Sequence, residues 1–123
     1  MENNSALSIT VPSAVQRQSV TYYILSLSKV YQIEVHNIER RFSKFEALNL
    51  ELHSLGYTRL PELPKSFMLI QMQSGIEQRR KDLEIYMRAL LQRKDTRHSL
   101  PVVKFLELDQ FCPELIYQRL ELV

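Results

Sequence analysis

The sequence predicts an α+β domain: a three-stranded antiparallel sheet packed against a helical subdomain of about four helices, with a proline-rich loop between two of them. Strand-like alternation occupies the first third of the chain and helical periodicity the rest. No strand recurs between the helices, which excludes the βαβ order of a parallel sheet. The 123 residues are enough for one core, so we expect residues 1–123 to form a single domain, with 1–5 frayed.

Three strands are predicted at the start of the chain. Leu7–Val11 is a short strand closed by Pro12, and Val20–Leu27 is a half-buried second strand. In the third, Ile33 and Val35 share one face with Tyr31, whereas the apolar residues after 36–37 have the opposite parity. This change of phase predicts a β-bulge or kink at 36–37, a feature that redirects side chains near binding sites.

The first helix is predicted over Ser43–Leu55. Residues 43–46, Ser-Lys-Phe-Glu, match a capping box, in which the serine hydroxyl accepts from a free N–H of the first turn and the glutamate reaches back. Gly56 supplies the C-terminal stop. The apolar face of this helix consists of Phe45, Leu48, Leu52 and Leu55.

Helices are also predicted for the second half of the chain. Leu60–Lys65 contains two prolines three apart, which favours an extended loop. The longest helix is predicted over Ile76–Arg93, and shorter ones over Pro101–Leu108 and Pro113–Leu120, each with proline in its first turn. In the long helix one narrow stripe, with Arg79 at its edge, consists of Ile76, Leu83, Met87 and Leu90.

Composition restricts the function classes. The formal net charge of +2 is too small by itself to indicate nucleic-acid binding. A lone Cys112 excludes an intramolecular disulfide and is typical of a cytosolic protein. No apolar run approaches the roughly 20 residues that span a bilayer, and the N-terminus lacks the order of a signal peptide. We therefore expect any membrane contact to be made from the cytosolic surface.

The stretch Arg40–Phe45 is the main candidate for a binding site. Two guanidinium groups precede an aromatic ring at a predicted strand–helix corner. Arginine presents a rigid fork of donors that suits phosphate, and a helix N-terminus also favours anions. The ring would pack against a flat apolar side of the ligand, as in a phosphorylated sugar or cyclitol. Two solvated arginines at a strand end are the alternative interpretation.

These residues resemble the signature of phox-homology (PX) domains. The stretch 40–45, Arg-Arg-Phe-Ser-Lys-Phe, is similar to their Arg-(Tyr/Phe)-Ser-x-Phe motif. Residues 60–65 resemble their proline-rich loop, and 78–84 resemble their helical Arg-Arg-x-x-Leu-Glu segment. The motifs occur in the family's order, and the resemblance extends over about residues 6–111. It also implies that the chain is part of a longer protein.

The resemblance implies recognition of a phosphoinositide headgroup, most often that of phosphatidylinositol 3-phosphate. Arg41 would hold the 3-phosphate, Phe42 would pack beneath the inositol ring, and Arg79 would bond the 4- and 5-hydroxyls. Arg40 would support these contacts rather than bind directly. The implied localisation is cytoplasmic, peripheral on the cytosolic face of endosomal or vacuolar membranes, with recruitment of a host protein in trafficking as the role.

The loop departs from the family pattern at one position. Lys65 would correspond to the basic residue that meets the 1-phosphate, but it follows Pro64 directly, whereas one residue usually separates the two. Ser66 therefore occupies the usual place. A slide of the loop by one residue would let the long lysine side chain reach the phosphate. If Ser66 takes the role instead, we expect weaker headgroup affinity.

An apolar cluster follows the basic loop and is predicted to insert into the membrane. It consists of Phe67, Met68, Leu69 and Ile70. Burying such side chains is worth roughly 1.5–3 kcal/mol each, comparable with charge-assisted contacts in the pocket, so docking would need both. The buried first turn of a helix is the alternative interpretation of this cluster.

Other functions have less support. His36, His53 and His98 are scattered without metal-site spacing, and no Ser-His-Asp set or glycine-rich phosphate loop is present. We therefore expect no enzyme, metal or cofactor. Pro61-x-x-Pro64 matches an SH3 ligand but fits the loop better, and no basic face for nucleic acid extends beyond 79–81. The alternative to lipid binding is a protein-interaction domain of the same fold with a degenerate lipid pocket.

Overall fold

The computed structural model describes residues 7–29, 33–65 and 73–113. In this part of the chain three antiparallel strands form one sheet in the order β1-β2-β3, and five helices follow. The predicted α+β class is therefore confirmed. The strands are β1 (Leu7–Arg17), β2 (Val20–Lys29) and β3 (Val35–Arg41), and the helices are α1 (Phe42–Ser54), α2 (Gln73–Gln92), α3 (Lys94–Arg97), α4 (Leu100–Phe105) and α5 (Leu108–Phe111).

Strand β1 is longer than expected, and the prediction that Pro12 ends it is wrong. The strand continues past the proline, with a shift of register against β2 between Thr10 and Ser13. Proline is tolerated here because β1 is an edge strand and the ladder is already interrupted. The turn into β2 consists of Gln18 and Ser19, whose φ angles of 51° and 68° are those of a two-residue type I′ hairpin turn.

Strand β3 pairs with β2 in one uninterrupted register, so the predicted kink at 36–37 is wrong. The buried apolar residue of β3 is Ile38, whereas Val35 and Ile33 are 52% and 98% exposed. The apparent change of phase arises because Val35 stands at the start of β3 and Ile33 just before it, both outside the core. Tyr31, which was assigned to the same face, lies outside the described residues.

Helix α1 begins at Phe42, one residue earlier than expected, and the predicted capping box is wrong. The N-cap residue is Arg41, its backbone is extended, and no side chain caps the helix. Ser43 is thus the second helical residue, where its hydroxyl is past the capping position. The start is shifted because Phe42 is itself buried and belongs to the first turn.

The predicted stop of α1 at Gly56 is confirmed. Gly56 has a φ of 95°, and the backbone N–H groups of Gly56 and Tyr57 donate to the carbonyls of His53 and Leu52 at 3.0 and 3.1 Å, which is a Schellman motif. Leu55 is the C-cap residue and is 59% exposed, so its assignment to the core face is wrong. The other three residues of that face are buried: Phe45, Leu48 and Leu52.

Helix α2 packs against β1 and contributes to the core the stripe that the sequence predicts. All four residues of the stripe are buried: Ile76, Leu83, Met87 and Leu90. The helix starts three residues before the predicted Ile76 and ends at Gln92. Its spacing of 3.6 residues per turn therefore determines which side chains enter the core, although not where the helix begins.

Three side chains on α2 form hydrogen bonds with the backbone of β1. Glu84 Oε1 accepts from the Val11 N–H at 2.7 Å, Arg80 Nη1 donates to the Val11 carbonyl at 2.6 Å, and Arg88 Nε donates to the Ile9 carbonyl at 3.1 Å. The edge of a sheet otherwise presents unpaired N–H and C=O groups. These side chains therefore satisfy backbone groups that a fourth strand would otherwise pair.

The C-terminal helices are shorter than expected. The predicted helix over 101–108 is divided into α4 and α5 by Glu107, whose backbone is left-handed with a φ of 57°. Ser99 caps α4, and its hydroxyl accepts from the Val102 N–H at 3.4 Å. The predicted helix over Pro113–Leu120 lies outside the described residues beyond Pro113. Among the described helices, none combines the length and the apolarity needed to span a bilayer.

Candidate functional site

A cleft of about 210 Å3 lies where the β1–β2 turn, the β3–α1 corner and α2 meet. It brings together three residues that the sequence proposed for ligand binding: Arg41, Phe42 and Arg79. Among the residues that the structure describes, the lining consists of Ser19, Val20, Thr21, Tyr23, Arg41, Phe42, Ser43 and Arg79. The cleft is therefore assembled from segments that are far apart in the chain.

The neighbouring Arg41 and Arg40 have different surroundings. Arg41 is exposed, lines the cleft, and makes no side-chain hydrogen bond or ion pair with any residue that the structure describes. Arg40 donates from Nε and Nη2 to the Phe105 carbonyl at 3.1 and 2.8 Å, and its Nη2 lies 3.0 Å from Glu107 Oε2. Among the described residues, none occupies the Arg41 donors at the cleft, whereas Arg40 connects β3 to the segment between α4 and α5.

Arg79 is stacked on the ring of Phe42. Its guanidinium carbon lies 3.6 Å from the ring centroid, within the range of a cation–π interaction. The two residues are 7% and 9% exposed. Arg79 Nη2 donates to the Lys65 carbonyl at 3.2 Å, but Nε is buried without a hydrogen-bond partner in residues 7–29, 33–65 and 73–113. Its predicted place at the edge of the apolar stripe is confirmed by this burial.

Hydroxyl groups supply the remaining polar lining of the cleft. They belong to Ser19, Thr21, Ser43 and Tyr23. Tyr23 is buried on the inner face of β2, and this burial raises the pKa of its hydroxyl, while the positive charge of nearby Arg79 partly opposes the rise. Tyr23 is therefore neutral at physiological pH. Together the four hydroxyls form a lining without charge beside the two arginines.

The net charge of the cleft is positive. No carboxylate is among the lining residues that the structure describes, so within this set the charges of Arg41 and Arg79 are not compensated. A buried guanidinium is usually paired with an acidic group. Because no acidic group is among the described lining residues, the cleft favours an anionic ligand. The uncapped start of α1 adds the partial positive charge of free N–H groups. The described residues include no group of three or more His, Cys, Asp or Glu side chains able to hold a metal ion.

Lys65 lies next to the cleft, but its side chain is not part of the lining. The loop that ends at Lys65 has no regular structure over residues 57–65, as its prolines predict. Lys65 is exposed and is linked to the site by its carbonyl, which accepts from Arg79. Ser66 and the apolar cluster lie outside the described residues, so the 1-phosphate contact and membrane insertion stay predictions. That cluster is Phe67, Met68, Leu69 and Ile70.

Sequence reasoning missed the part of the cleft formed by the β1–β2 turn. Ser19, Val20 and Thr21 line it, although none was considered as a site residue. The signal available was the polar pair Gln18-Ser19 between two strands, which marks a two-residue hairpin. A first strand that ends at Pro12 leaves no strand directly before Gln18-Ser19, so the sequence prediction did not include this hairpin.

Solved structures that share the fold include two PX domains. A designed CISK-PX domain has a TM-score of 0.73 at 21% identity, over 81% of this chain and 98% of that one. The PX domain of mouse SNX19, solved with a bound sulphate ion, has a TM-score of 0.66 at 19% identity, over 83% of this chain and 97% of that one. At these identities the likeness shows the fold alone. No match was found among curated proteins.

A family model supplies the stronger assignment. The model described as PX domain matches residues 28–109, about two thirds of the chain. The match includes the β3–α1 corner, the proline-rich loop and α2, and so includes Arg41, Phe42 and Arg79 of the cleft. PX domains are generally phosphoinositide-binding, membrane-targeting modules without catalytic activity. Because the family model matches about two thirds of the chain and the fold is shared, this chain belongs to the PX domain family.

Proposed function

We propose that this domain binds the headgroup of phosphatidylinositol 3-phosphate and recruits its host protein to the cytosolic face of endosomal or vacuolar membranes. The observation that supports this is the pair of uncompensated arginines, Arg41 and Arg79, in one cleft with an aromatic ring. Arg41 makes no side-chain hydrogen bond or ion pair with a described residue, so it would bond the 3-phosphate through a bidentate, charge-assisted contact. Arg79 and the hydroxyls of the lining would bond the hydroxyl groups of the inositol ring.

The proposal includes a second attachment to the membrane. Lys65 would contact the 1-phosphate, with Ser66 as the alternative, and the apolar cluster at 67–70 would enter the headgroup–acyl boundary. Stable docking of a peripheral protein usually requires two such signals. The link between the Lys65 carbonyl and Arg79 supports this arrangement, because it keeps the end of the loop beside the cleft.

Sedimentation with liposomes tests the proposal. Vesicles of phosphatidylcholine and phosphatidylserine are prepared with and without phosphatidylinositol 3-phosphate. We expect binding to depend on the phosphoinositide and Arg41→Ala to weaken it at least about tenfold, since a charge-assisted hydrogen bond contributes about 1.5–3 kcal/mol. The matched control is Lys44→Ala, which also removes one positive charge. Lys44 is three residues after Arg41, and its side chain is exposed and outside the cleft lining.

The comparison of variants also separates specific from general attraction. Lys44→Ala is expected to change binding to both vesicle types slightly and equally. Equal sedimentation of the unaltered domain with and without the phosphoinositide would contradict the proposal, as would an Arg41→Ala variant that binds as well as the Lys44→Ala control. Vesicles with 4-phosphate or 5-phosphate isomers instead of the 3-phosphate would test the preference for the 3-phosphate.

A second function is favoured by one observation. The exposed side chain of Lys65 is not part of the cleft lining, so the cleft lacks one of the three cations that the family pattern implies. This supports a protein-interaction domain whose lipid pocket is degenerate. Under that function, capture of a protein partner would persist in the double variant Arg41→Ala, Arg79→Ala, while the unaltered domain would show no dependence on the phosphoinositide.

A further inference from the structure

One face of the Phe42 ring is covered in this structure. The Arg79 guanidinium lies over it at 3.6 Å, and only 9% of the residue is exposed. The face beneath the guanidinium is therefore not available to a second flat group. Arg79 and an inositol ring therefore cannot lie on this face of Phe42 at the same time.

The stacked position of Arg79 is only partly satisfied. Its Nη2 donates to the Lys65 carbonyl at 3.2 Å, its charge faces the aromatic ring, and it also interacts with the Tyr23 hydroxyl. Its Nε is buried without a partner in the part of the chain that the structure describes, and a buried unpaired donor destabilises the conformation that holds it. The cation–π contact stabilises the same conformation. A ligand that offers acceptors to Arg79 would therefore favour a position in which all its donors are paired.

We propose that Arg79 is a gating side chain, which covers Phe42 and leaves the ring face when a phosphorylated cyclitol enters the cleft. Arg41 holds the phosphate, the cyclitol takes the place of the guanidinium on Phe42, and the released Arg79 donors bond the ligand's hydroxyls. This inference rests on the proposed function. Because Arg79 also bonds the Lys65 carbonyl, its movement changes the contact that holds the proline-rich loop beside the cleft.

The test follows the Nε–H signal of Arg79 by 1H–15N NMR. A proton held over an aromatic face is shifted upfield by the ring current, so the stacked guanidinium has a distinctive signal. Phe42→Leu removes the ring and provides the reference position for an unstacked Arg79. Contacts between the Arg79 side-chain protons and the Phe42 ring, measured as nuclear Overhauser effects in the unaltered protein, give a second readout that needs no variant.

Two ligands are titrated separately: inositol 1,3-bisphosphate, and a short-chain, water-soluble phosphatidylinositol 3-phosphate. We expect both to move the Arg79 Nε–H signal downfield towards its position in Phe42→Leu and to remove the contacts with the ring. A response to the lipid alone would show that gating requires the glycerol and acyl part, and would overturn the assignment of the cyclitol as the group that displaces Arg79.

The failure of this inference is distinct from the failure of the proposed function. If the signals of Arg41 and Ser43 shift to saturation while Arg79 stays upfield and keeps its contacts with the ring, ligand binding stands and gating is wrong. If no signal of the cleft responds to either ligand, and liposome binding is independent of the phosphoinositide, the proposed function is wrong and gating with it.

Discussion

Arg40 and Arg41 allow a paired test, because the same substitution removes different contacts. Arg40→Ala leaves the Phe105 carbonyl and the Glu107 carboxylate without their donor, and we expect it to lower the free energy of unfolding by about 2 kcal/mol. Arg41→Ala removes no side-chain hydrogen bond or ion pair with a described residue, so we expect a change within about 0.5 kcal/mol. Urea denaturation of both variants measures the difference. Equal losses would contradict the separation of roles.

Tyr86 predicts a pH dependence of stability. It is fully buried, its hydroxyl donates to Asn49 Oδ1 at 2.8 Å, and burial raises the pKa of this hydroxyl above its ordinary value of 10.0. Above pH about 10 the unfolded chain loses this proton while the folded chain keeps it. The contribution of the protonated Tyr86 hydroxyl to the free energy of unfolding is therefore complete below pH about 10. As the pH rises further, the free energy of unfolding falls.

The variant Tyr86→Phe tests this dependence. It removes the hydrogen bond and is expected to cost about 1 kcal/mol at neutral pH, but it also removes the titrating group. We therefore expect a smaller loss of stability than in the unaltered protein when denaturation is repeated above pH about 10. Part of the fall remains, because the pKa of Tyr23 is also raised by burial. An unchanged alkaline loss would show that Tyr86 does not contribute to it.

Glu84 tests how two secondary-structure elements are held together, because its side chain connects α2 to the backbone of β1. We expect Glu84→Ala to lower the free energy of unfolding by about 2 kcal/mol, since the Val11 N–H loses a charged acceptor and Arg88 loses an ion-pair partner at 3.2 Å. Hydrogen exchange of the Val11 amide should become faster. Lys81→Ala, on an exposed position of the same helix, is the control and should leave both measurements nearly unchanged.

The bounds and buried faces of the helices and strands could be predicted from the sequence to different degrees. The buried stripe of α2 and the stop at Gly56 depend on spacing and on one left-handed residue, which are local properties. The ends of the strands depend on pairing with a neighbour. The local pattern predicts a strand end at Pro12, because the interrupted edge that accepts the proline is formed with β2 and α2, which lie elsewhere in the chain.

At the scale of the whole molecule, the cleft joins the hairpin turn, the β3–α1 corner and α2, so ligand binding is expected to stabilise the complete fold. With inositol 1,3-bisphosphate at about 100 times its dissociation constant, the free energy of unfolding should rise by about 2.7 kcal/mol. Thermal unfolding with increasing ligand measures this effect. Arg41→Ala is the control, since it should be as stable as the unaltered domain but show almost no increase with ligand.

The fold class, the order of the family's motifs, and the core stripe with Arg79 at its edge can all be predicted from the amino-acid sequence. These follow from spacing along the chain, which local geometry converts directly into a face of a helix or strand. Three contacts are visible only in the folded molecule: Arg40 bonds the α4–α5 segment, Ser43 lines a cleft instead of capping α1, and Arg79 covers Phe42. Those contacts join segments far apart in sequence, so they depend on packing and register and not on any local pattern.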